Sequence, residues 1–453
     1  MNSFPDPIPV ITGPMLLPQM LRIQSDTLGF ILETTRRYGD LVHFDLGMTH
    51  AFLISRPSAI QHVLQDNHRN YTKDTIQYNS LATITGRGLL TSDGDLWFRH
   101  RRLEQPAFAK PRLAALDLVV VPAVQEMLER WTAGLAFGSQ IDVDREMMRV
   151  TLEVVGKTLF GIDLSREAHT LTSAVLTCLD HIVYKARMMI APPDSFPTLR
   201  NIRFHRALHT LNKAVYELID VRQQRGGDLG DDLLGMLLRA RDPDSGDPLS
   251  RIQLRDEVIT LLIAGHETVA SALTWTFYLL AEHRPAWEEL HAEVQRVLGG
   301  RPPTGADVTS LTFTGQVFDE ALRLYPPAWL ITRKAVKEDD LDGEPVPAGA
   351  LIIISPYAVH RNPAVWQAPE DFDPGRFAGG ADNQRSRYGY IPFGAGPRLC
   401  IGNQFALIEA RLVLAMVAQR FRLDLPPASV VRPDPLVTIR PRGGLPMRLI
   451  PIK

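Results

Sequence analysis

The stretch from Arg251 to Glu282 reads as a single helix, and at ~1.5 Å per residue it is on the order of 45–50 Å long. Its apolar positions, Leu254, Val258, Leu261, Leu262, Leu273, Phe277 and Leu280, fall on several faces. A helix apolar nearly all round belongs at the centre of a large fold, because no single apolar stripe can satisfy it. The chain has the material to bury it: 453 residues, 45% of them hydrophobic and 22% charged, the balance of an ordinary globular protein. The middle of this helix is Ala264-Gly265-His266-Glu267-Thr268. Glycine weakens a helix, and a buried carboxylate beside a hydroxyl costs desolvation. Two readings follow. One is a loose turn with locally capped polar side chains; the sharper one is a helix opened locally at a functional site.

The rest of the chain suits that centre. Leu41 to Ser55 alternates as a β-hairpin around Gly47, and helical periodicity dominates from about Ser58. Loops rich in Pro, Asp and Gly interrupt it at 191–195 and 241–246. Short strand signals return at Leu351 to Ser355 and near Val437 to Arg440, and Ile401 to Arg420 reads as a long helix. Length alone allows about three domains. No repeat, low-complexity run or hinge-like linker divides the chain, so the expectation is one mainly α unit with small peripheral β-sheets. The amino terminus, with prolines at 5, 7, 9, 14 and 18, offers neither a spanning helix nor a basic export signal. A soluble cytoplasmic protein is expected.

Charge excludes one class of function. Lys plus Arg number 49 and Asp plus Glu 51, a net charge of −2, which argues against a protein that wraps nucleic acid. The 32 Gly and 34 Pro are dispersed, which excludes collagenous and disordered chains. Only two cysteines occur, Cys178 and Cys400, so a disulfide framework is not expected.

Cys178 lies in an apolar helical neighbourhood and reads as a small core residue. Cys400 lies in Phe393-Gly394-Ala395-Gly396-Pro397-Arg398-Leu399-Cys400-Ile401-Gly402, where glycines permit a tight turn with N–H groups facing the sulfur. A helix start and Arg398 both favour a thiolate there. Zinc and iron–sulfur sites need several ligands at close spacing. Thiol catalysis, which needs a positioned His and oxyanion donors, stays open. A single thiolate on a macrocycle-bound iron fits best.

The segment resembles the haem-binding signature of the cytochrome P450 family, F-G-x-G-x-R-x-C-x-G, with every fixed position present. The resemblance implies haem b with Cys400 as the axial thiolate, cradled by Phe393 and Gly394. It implies a structural ion-pair set from Glu320 and Arg323, in Glu320-Ala321-Leu322-Arg323, joined by Arg376 from Phe372-Asp373-Pro374-Gly375-Arg376-Phe377. Trp97 and Arg101 match the family's W-x-x-x-R and would reach a haem propionate, with Arg333 and Arg398 as the remaining propionate contacts. Ala264, Gly265, Glu267 and Thr268 match its A-G-x-[DE]-T. There Gly and Ala would leave room for dioxygen, Thr would donate to it, and the acid would feed protons. Val269 stands where many relatives have a second Thr, and His266 is expected to face away.

The motifs occur in the family's order and cover nearly all of residues 1–453, which implies a single haem domain of the P450 fold with no fused reductase. Electrons would come from a separate ferredoxin or flavodoxin with its NAD(P)H-dependent reductase. The cluster Arg99, His100, Arg101, Arg102, Lys110 and Arg112 offers a docking surface, or else a solvated helix face. By family position the pocket draws on 71–90, 182–195, 328–331 and 435–437, with Met188, Met189, Trp329 and Leu330 among its residues. That implies a hydrophobic substrate: fatty acid, terpenoid, steroid or polyketide-like. Lys185 or Arg187 would either meet a carboxylate or reach solvent. The leading expectation is a monomeric haem-thiolate monooxygenase. A peroxygenase, isomerase or dehydratase ranks below it because the Glu267–Thr268 pair is intact, and a non-enzymatic haem carrier or gas sensor ranks third.

Overall fold

The computed structural model describes residues 10–12, 22–45, 47, 49–135, 140–164, 168–188, 192–224, 226, 228–241, 246–379 and 386–452. The amino-terminal prolines, Met189 and most of the 241–246 loop lie outside them. The longer helices are α1 (Thr27–Tyr38), α2 (Ile76–Thr85), α3 (Gly94–Glu104), α4 (Asp117–Gly134), α5 (Val143–Phe160), α6 (Ala168–Arg187), α7 (Leu199–Gln224), α8 (Arg251–Glu282), α9 (Arg284–Leu298), α10 (Thr312–Leu324) and α11 (Asn403–Arg420). The strands are β1 (Val10–Thr12), β2 (Leu41–Asp45), β3 (His50–Ile54), β4 (Tyr71–Thr72), β5 (Gln140–Asp142), β6 (Ile331–Ala335), β7 (Asp339–Leu341), β8 (Glu344–Val346), β9 (Leu351–Ile354), β10 (Phe421–Asp424), β11 (Pro433–Pro435), β12 (Ile439–Pro441) and β13 (Pro446–Pro451). The fold is mainly helical, with small sheets and one long helix, as the sequence leads one to expect.

Two compact units emerge, each assembled from separated stretches of chain. The first comprises 1–79, 322–371 and 379–400; the second comprises 80–321, 372–378 and 401–453.

The first unit is built on a sheet of order β1-β2-β3-β9-β6-β4. The expected hairpin is present, with Leu41 opposite Ile54 and Phe44 opposite Ala51. The run Leu351-Ile352-Ile353-Ile354 forms β9, paired parallel to β3 and antiparallel to β6. A continuous β-branched run suits a strand with neighbours on both edges. Phe52, Ile54, Ile60, Val63, Ile352, Ile354 and Val359 close its core.

A polar knot stiffens this unit beside the sheet. The fully buried Arg323 guanidinium donates to the carbonyls of His360 (2.9 Å), Pro369 (2.6 Å) and Asp371 (2.8 Å) and lies over the Trp366 ring. His360 Nε2 accepts from Ile391 N–H at 2.9 Å, so the ring proton sits on Nδ1, which donates to Arg323 O at 3.1 Å. Both ring nitrogens are thus spoken for by the neutral tautomer.

In the second unit α8 is sealed on nearly every side, packed by α5, α7, α9 and α11. Ser250 and Gln253 form a capping box at its start: Gln253 N–H donates to Ser250 Oγ at 3.2 Å, and Ser250 N–H to Gln253 Oε1 at 2.9 Å. The helix is long and apolar enough to cross a membrane, yet most of its surface is buried inside the protein. It runs unbroken through Ala264–Thr268, so the expected local opening does not occur. Thr268 Oγ1 instead donates to Ala264 O at 2.7 Å, satisfying the hydroxyl without parting the helix. Cys178 is a buried thiol of α6, its pKa pushed up to about 12 by burial.

Burial, followed by the Arg323 charge, holds His360 at about 3, below its ordinary 6.5. The unfolded chain therefore binds a proton that the folded chain refuses, and stability falls as pH drops from about 6.5 toward 3. The expected slope is ~1.4 kcal/mol per pH unit for this histidine once below its unfolded pKa. Denaturant midpoints measured between pH 7 and 5 check it: His360→Gln, which cannot titrate, should show a shallower fall than the parent chain.

Candidate active site

In the first unit the backbone before Cys400 is a run of tight turns. Gly394 and Gly396 take left-handed φ values of 71° and 69°. A Cβ on Gly396 would lie 1.9 Å from Leu64 O, so no side chain fits there. Cys400 N–H donates to Phe393 O at 3.0 Å and closes the loop, leaving the thiol exposed at its end. Helix α11 begins at Asn403 rather than Ile401, with Gly402 at its N-cap, so the thiol precedes the first turn. Phe393, Gly394 and Arg398 are half-buried beside it in the chain. Arg333, on β6, is buried at 6% exposure, which removes the surface reading of it. Its guanidinium donates to Tyr78 Oη at 3.3 Å and Thr332 O at 2.8 Å, and among the described residues no carboxylate pairs with it. A buried cation meeting only neutral oxygens is poised for an anion.

In the second unit, the wall of α8 is open at one strip. From Leu254 to Phe277 nearly every residue is buried, while Ala264, Gly265 and Thr268 are half-exposed. Ala264 and Thr268 are i, i+4 neighbours on one face. Gly265 has a packing reason of its own, because a Cβ there would press Val155 of α5 at 2.9 Å.

Glu267, one residue before Thr268, points elsewhere. It is 2% exposed, and Thr438 Oγ1 donates to its Oε1 at 3.0 Å. Burial raises its pKa, the Arg440 charge and the Thr438 hydrogen bond pull it down, and Asp144 pushes it back up; burial wins, leaving it at about 7. His266 is fully buried and held neutral, at about 3, by burial and by Arg440. Its carbonyl accepts from Thr151 Oγ1 at 3.0 Å.

Trp97 and Arg101 share a half-buried face of α3. The inner face of α3 carries a feature that composition concealed. His100, counted above with a cationic surface cluster, is 2% exposed and pairs through Nδ1 with Glu257 of α8. Glu104, fully buried, is pushed well above the carboxylate range, chiefly by burial and then by the Glu257 charge. Burial also opposes charge on Glu257, but hydrogen bonds from His100 and Glu104 outweigh it. Glu257 further accepts Leu89 N–H at 2.9 Å, and Asp256 accepts Arg87 N–H at 2.8 Å. The spacing of 100, 104 and 257 across two distant segments gives no sequence signal for this cluster. What stays exposed of the expected cationic cluster is Arg102, Lys110 and Arg112, with Phe98 beside them and Arg99 half-buried.

Glu320, Arg323 and Arg376, expected as an ion-pair set, are tied into the surrounding backbone. Glu320, fully buried, accepts Asp373 N–H at 2.9 Å and pairs with Arg376 at 3.3 Å, while Arg323 holds the carbonyls described above. Lys185 and Arg187 are both engaged. Lys185 pairs with Asp194 at 2.9 Å, and Arg187 donates to Asp434 at 3.2 Å and to Pro435 O at 3.1 Å. Among the described residues no group of three or more His, Cys, Asp or Glu side chains gathers as a metal site.

Comparison with known proteins agrees with this arrangement of motifs. The cytochrome P450 family profile matches residues 4–445. Cyclooctatin synthase of Streptomyces melanosporofaciens is 39% identical over 93% of this chain and 90% of its own. Cyclooctat-9-en-7-ol 5-monooxygenase of the same organism is 36% identical over 88% of this chain and 86% of its own. Pentalenene oxygenase of Streptomyces avermitilis is 35% identical over 92% of each. A match of that breadth shows that the chain belongs to the cytochrome P450 family, monooxygenases that hold haem on a cysteine thiolate and put one atom of dioxygen into a hydrophobic substrate.

Proposed function

We propose that this chain oxygenates a cyclic terpenoid, with Cys400 as the haem ligand and Thr268 and Glu267 supplying the proton chemistry. The open strip of α8, with a hydroxyl on it and a buried acid at the next residue, is the observation that carries the reading. An isomerase or dehydratase has no use for that pair. The residues present suit haem: an exposed thiol ends a glycine-shaped loop, and Arg333 is a buried guanidinium with no carboxylate partner among the described residues. Arg333, Arg398, Trp97 and Arg101 would hold its propionates, Phe393 and Gly394 would line the loop, and Glu320, Arg323 and Arg376 would keep the surrounding backbone rigid. Bound haem supplies the activation of dioxygen.

The protein's own part is positional. The one O–H of Thr268 rests on Ala264 O, which fixes the hydroxyl oxygen at the open strip; to donate outward it has only to rotate that proton off a carbonyl, which leaves the helix undisturbed. Glu267, with a pKa near neutrality, can both hold and release a proton at physiological pH. Ala264 presents only a methyl group there, which leaves room beside the hydroxyl.

Two relatives are named for oxygenating an alkenol and an alkene, and this supports a terpenoid over a fatty acid. So does the engagement of Lys185 and Arg187 in ion pairs, which leaves neither offering a ready carboxylate site. P450 monooxygenases draw electrons from redox partners. For this chain we propose a ferredoxin or flavodoxin with an NAD(P)H-dependent reductase, docking on Arg99, Arg102, Lys110 and Arg112 around the exposed Phe98. A soluble, cytoplasmic monomer is consistent with the sealed central helix.

Reduction of the holoprotein under carbon monoxide should give the strongly red-shifted Soret band of thiolate ligation, and Cys400→Ser should abolish it. Unchanged absorption in that variant would remove Cys400 from the iron. Thr268→Ala should divert most reducing equivalents into hydrogen peroxide, tenfold or more relative to product, on the order of one lost hydrogen-bond donor; fully coupled turnover would end the relay role. Titrating the ferric protein with cyclic terpene alkenes and alkenols should give a saturable spin-state shift. A shift with long-chain fatty acids alone would overturn the substrate class.

A further inference from the structure

The Glu267 carboxyl has a partner that the motif containing it does not call for. Thr438 lies in the turn between β11 and β12, where Leu436 N–H donates to Asp434 O at 2.9 Å and to Thr438 O at 3.1 Å. The next residue, Ile439, fixes this turn against α8. Its carbonyl accepts both Ser271 Oγ, at 2.6 Å, and Trp275 Nε1, at 2.9 Å. Residues 267, 271 and 275 follow an i, i+4, i+8 stripe, so the β11–β12 turn is bonded along one face of the helix at three successive turns. Glu267, Ser271, Trp275, Thr438 and Ile439 are all 2% exposed or less, and Thr438 has no freedom to be elsewhere.

The charged groups facing Glu267 come from two further elements. Arg440 of β12 pairs with Asp144 in the first turn of α5, both of them under 10% exposed. The neighbouring His266 is neutral. Arg440 favours the ionised carboxylate, and its partner Asp144 opposes it more weakly. Burial still outweighs all of them, and Thr438 is the group that bonds the carboxyl directly, through its hydroxyl.

We propose that Thr438 is a positioning residue for the proton-supplying acid: its hydroxyl holds Glu267 in both protonation states and, with the Arg440–Asp144 pair, sets the pH at which the acid changes charge. A hydroxyl donates to a carboxylate and accepts from a carboxylic acid. The buried carboxyl of Glu267 therefore keeps a hydrogen-bond partner whether it is charged or neutral, and a change of protonation leaves neither group stranded. The proposal rests on the reading of Glu267 as the acid.

The test uses the ferric holoenzyme and an infrared pH titration of the protonated carboxyl band, assigned to Glu267 by its loss in Glu267→Gln. Thr438→Val removes the donor at nearly constant volume, and the midpoint should rise by about half a pH unit or more. Thr438→Ser should restore it. Asp144→Asn unbalances Arg440 and should move the midpoint down, the opposite direction, which general loosening of the fold would not produce. The pH profile of product formed per dioxygen consumed should shift with the infrared midpoint. An unchanged midpoint in Thr438→Val, or a rise in Asp144→Asn, overturns the proposal. Midpoints that move as expected while the coupling profile stays put support Thr438's control of Glu267 and instead remove Glu267 from the proton supply.

Discussion

Burying a 32-residue helix that carries Asp256, Glu257, His266, Glu267, Ser271 and Trp275 sets the terms for the second unit. Each of those polar groups lost its water on folding, and leaving one without compensation costs ~1–3 kcal/mol, more for a charge. The neighbouring elements are placed to prevent that. The 86–90 loop donates N–H groups to Asp256 and Glu257, α3 supplies His100, and the β11–β12 turn supplies Thr438 and the Ile439 carbonyl, while the His266 ring is met by burial in its neutral form rather than by a side-chain partner. The central helix is thus a ruler against which loops and hairpins are set by their hydrogen bonds. Gly88 records how close the approach is, since a Cβ there would lie 2.2 Å from Thr260 Oγ1.

The chemistry grows out of the same constraint. Adjacent helix positions are rotated by about 100°, so an acid and an alcohol side by side in sequence must diverge in space. Thr268 takes the open strip, and Glu267 turns into the protein toward Thr438. The separation gives each group a different environment. The hydroxyl keeps access outward, while burial lifts the carboxyl toward neutrality, where an acid is most useful as a proton source. Two groups on the open strip would both be hydrated, and the carboxyl would stay ionised.

Rigidity in the first unit comes from a cation that makes no use of its charge in water. Arg323 donates to three carbonyls, at His360, Pro369 and Asp371, and His360 adds two more links from a neutral ring. The 386–400 stretch that leads to Cys400 is thereby fixed at Ile391. Gly396 then turns the chain where no side chain could pass Leu64. The thiol emerges at the end of a loop whose shape is decided upstream.

Much of this was legible in the residues alone. Periodicity located α8, alternation located the β2–β3 hairpin, and the glycines before Cys400 anticipated the tight turns there, because each is a local pattern with a local physical cause. The same local reasoning placed a break in α8 that does not exist, since it could not see Thr268 returning its hydroxyl to Ala264 O. It also counted His100 with a charged surface and left Lys185 and Arg187 facing either a substrate or solvent. Two of those depend on residues over one hundred and fifty positions away, Glu257 for His100 and Asp434 for Arg187, while Lys185 meets Asp194 across a loop. The sequence determined which residue types stand at which helical and turn positions, hence the family and its chemistry. Only the tertiary structure decided which of them are buried and what they meet there, because desolvation and hydrogen-bond pairing belong to the packed state and leave no periodic mark on the chain.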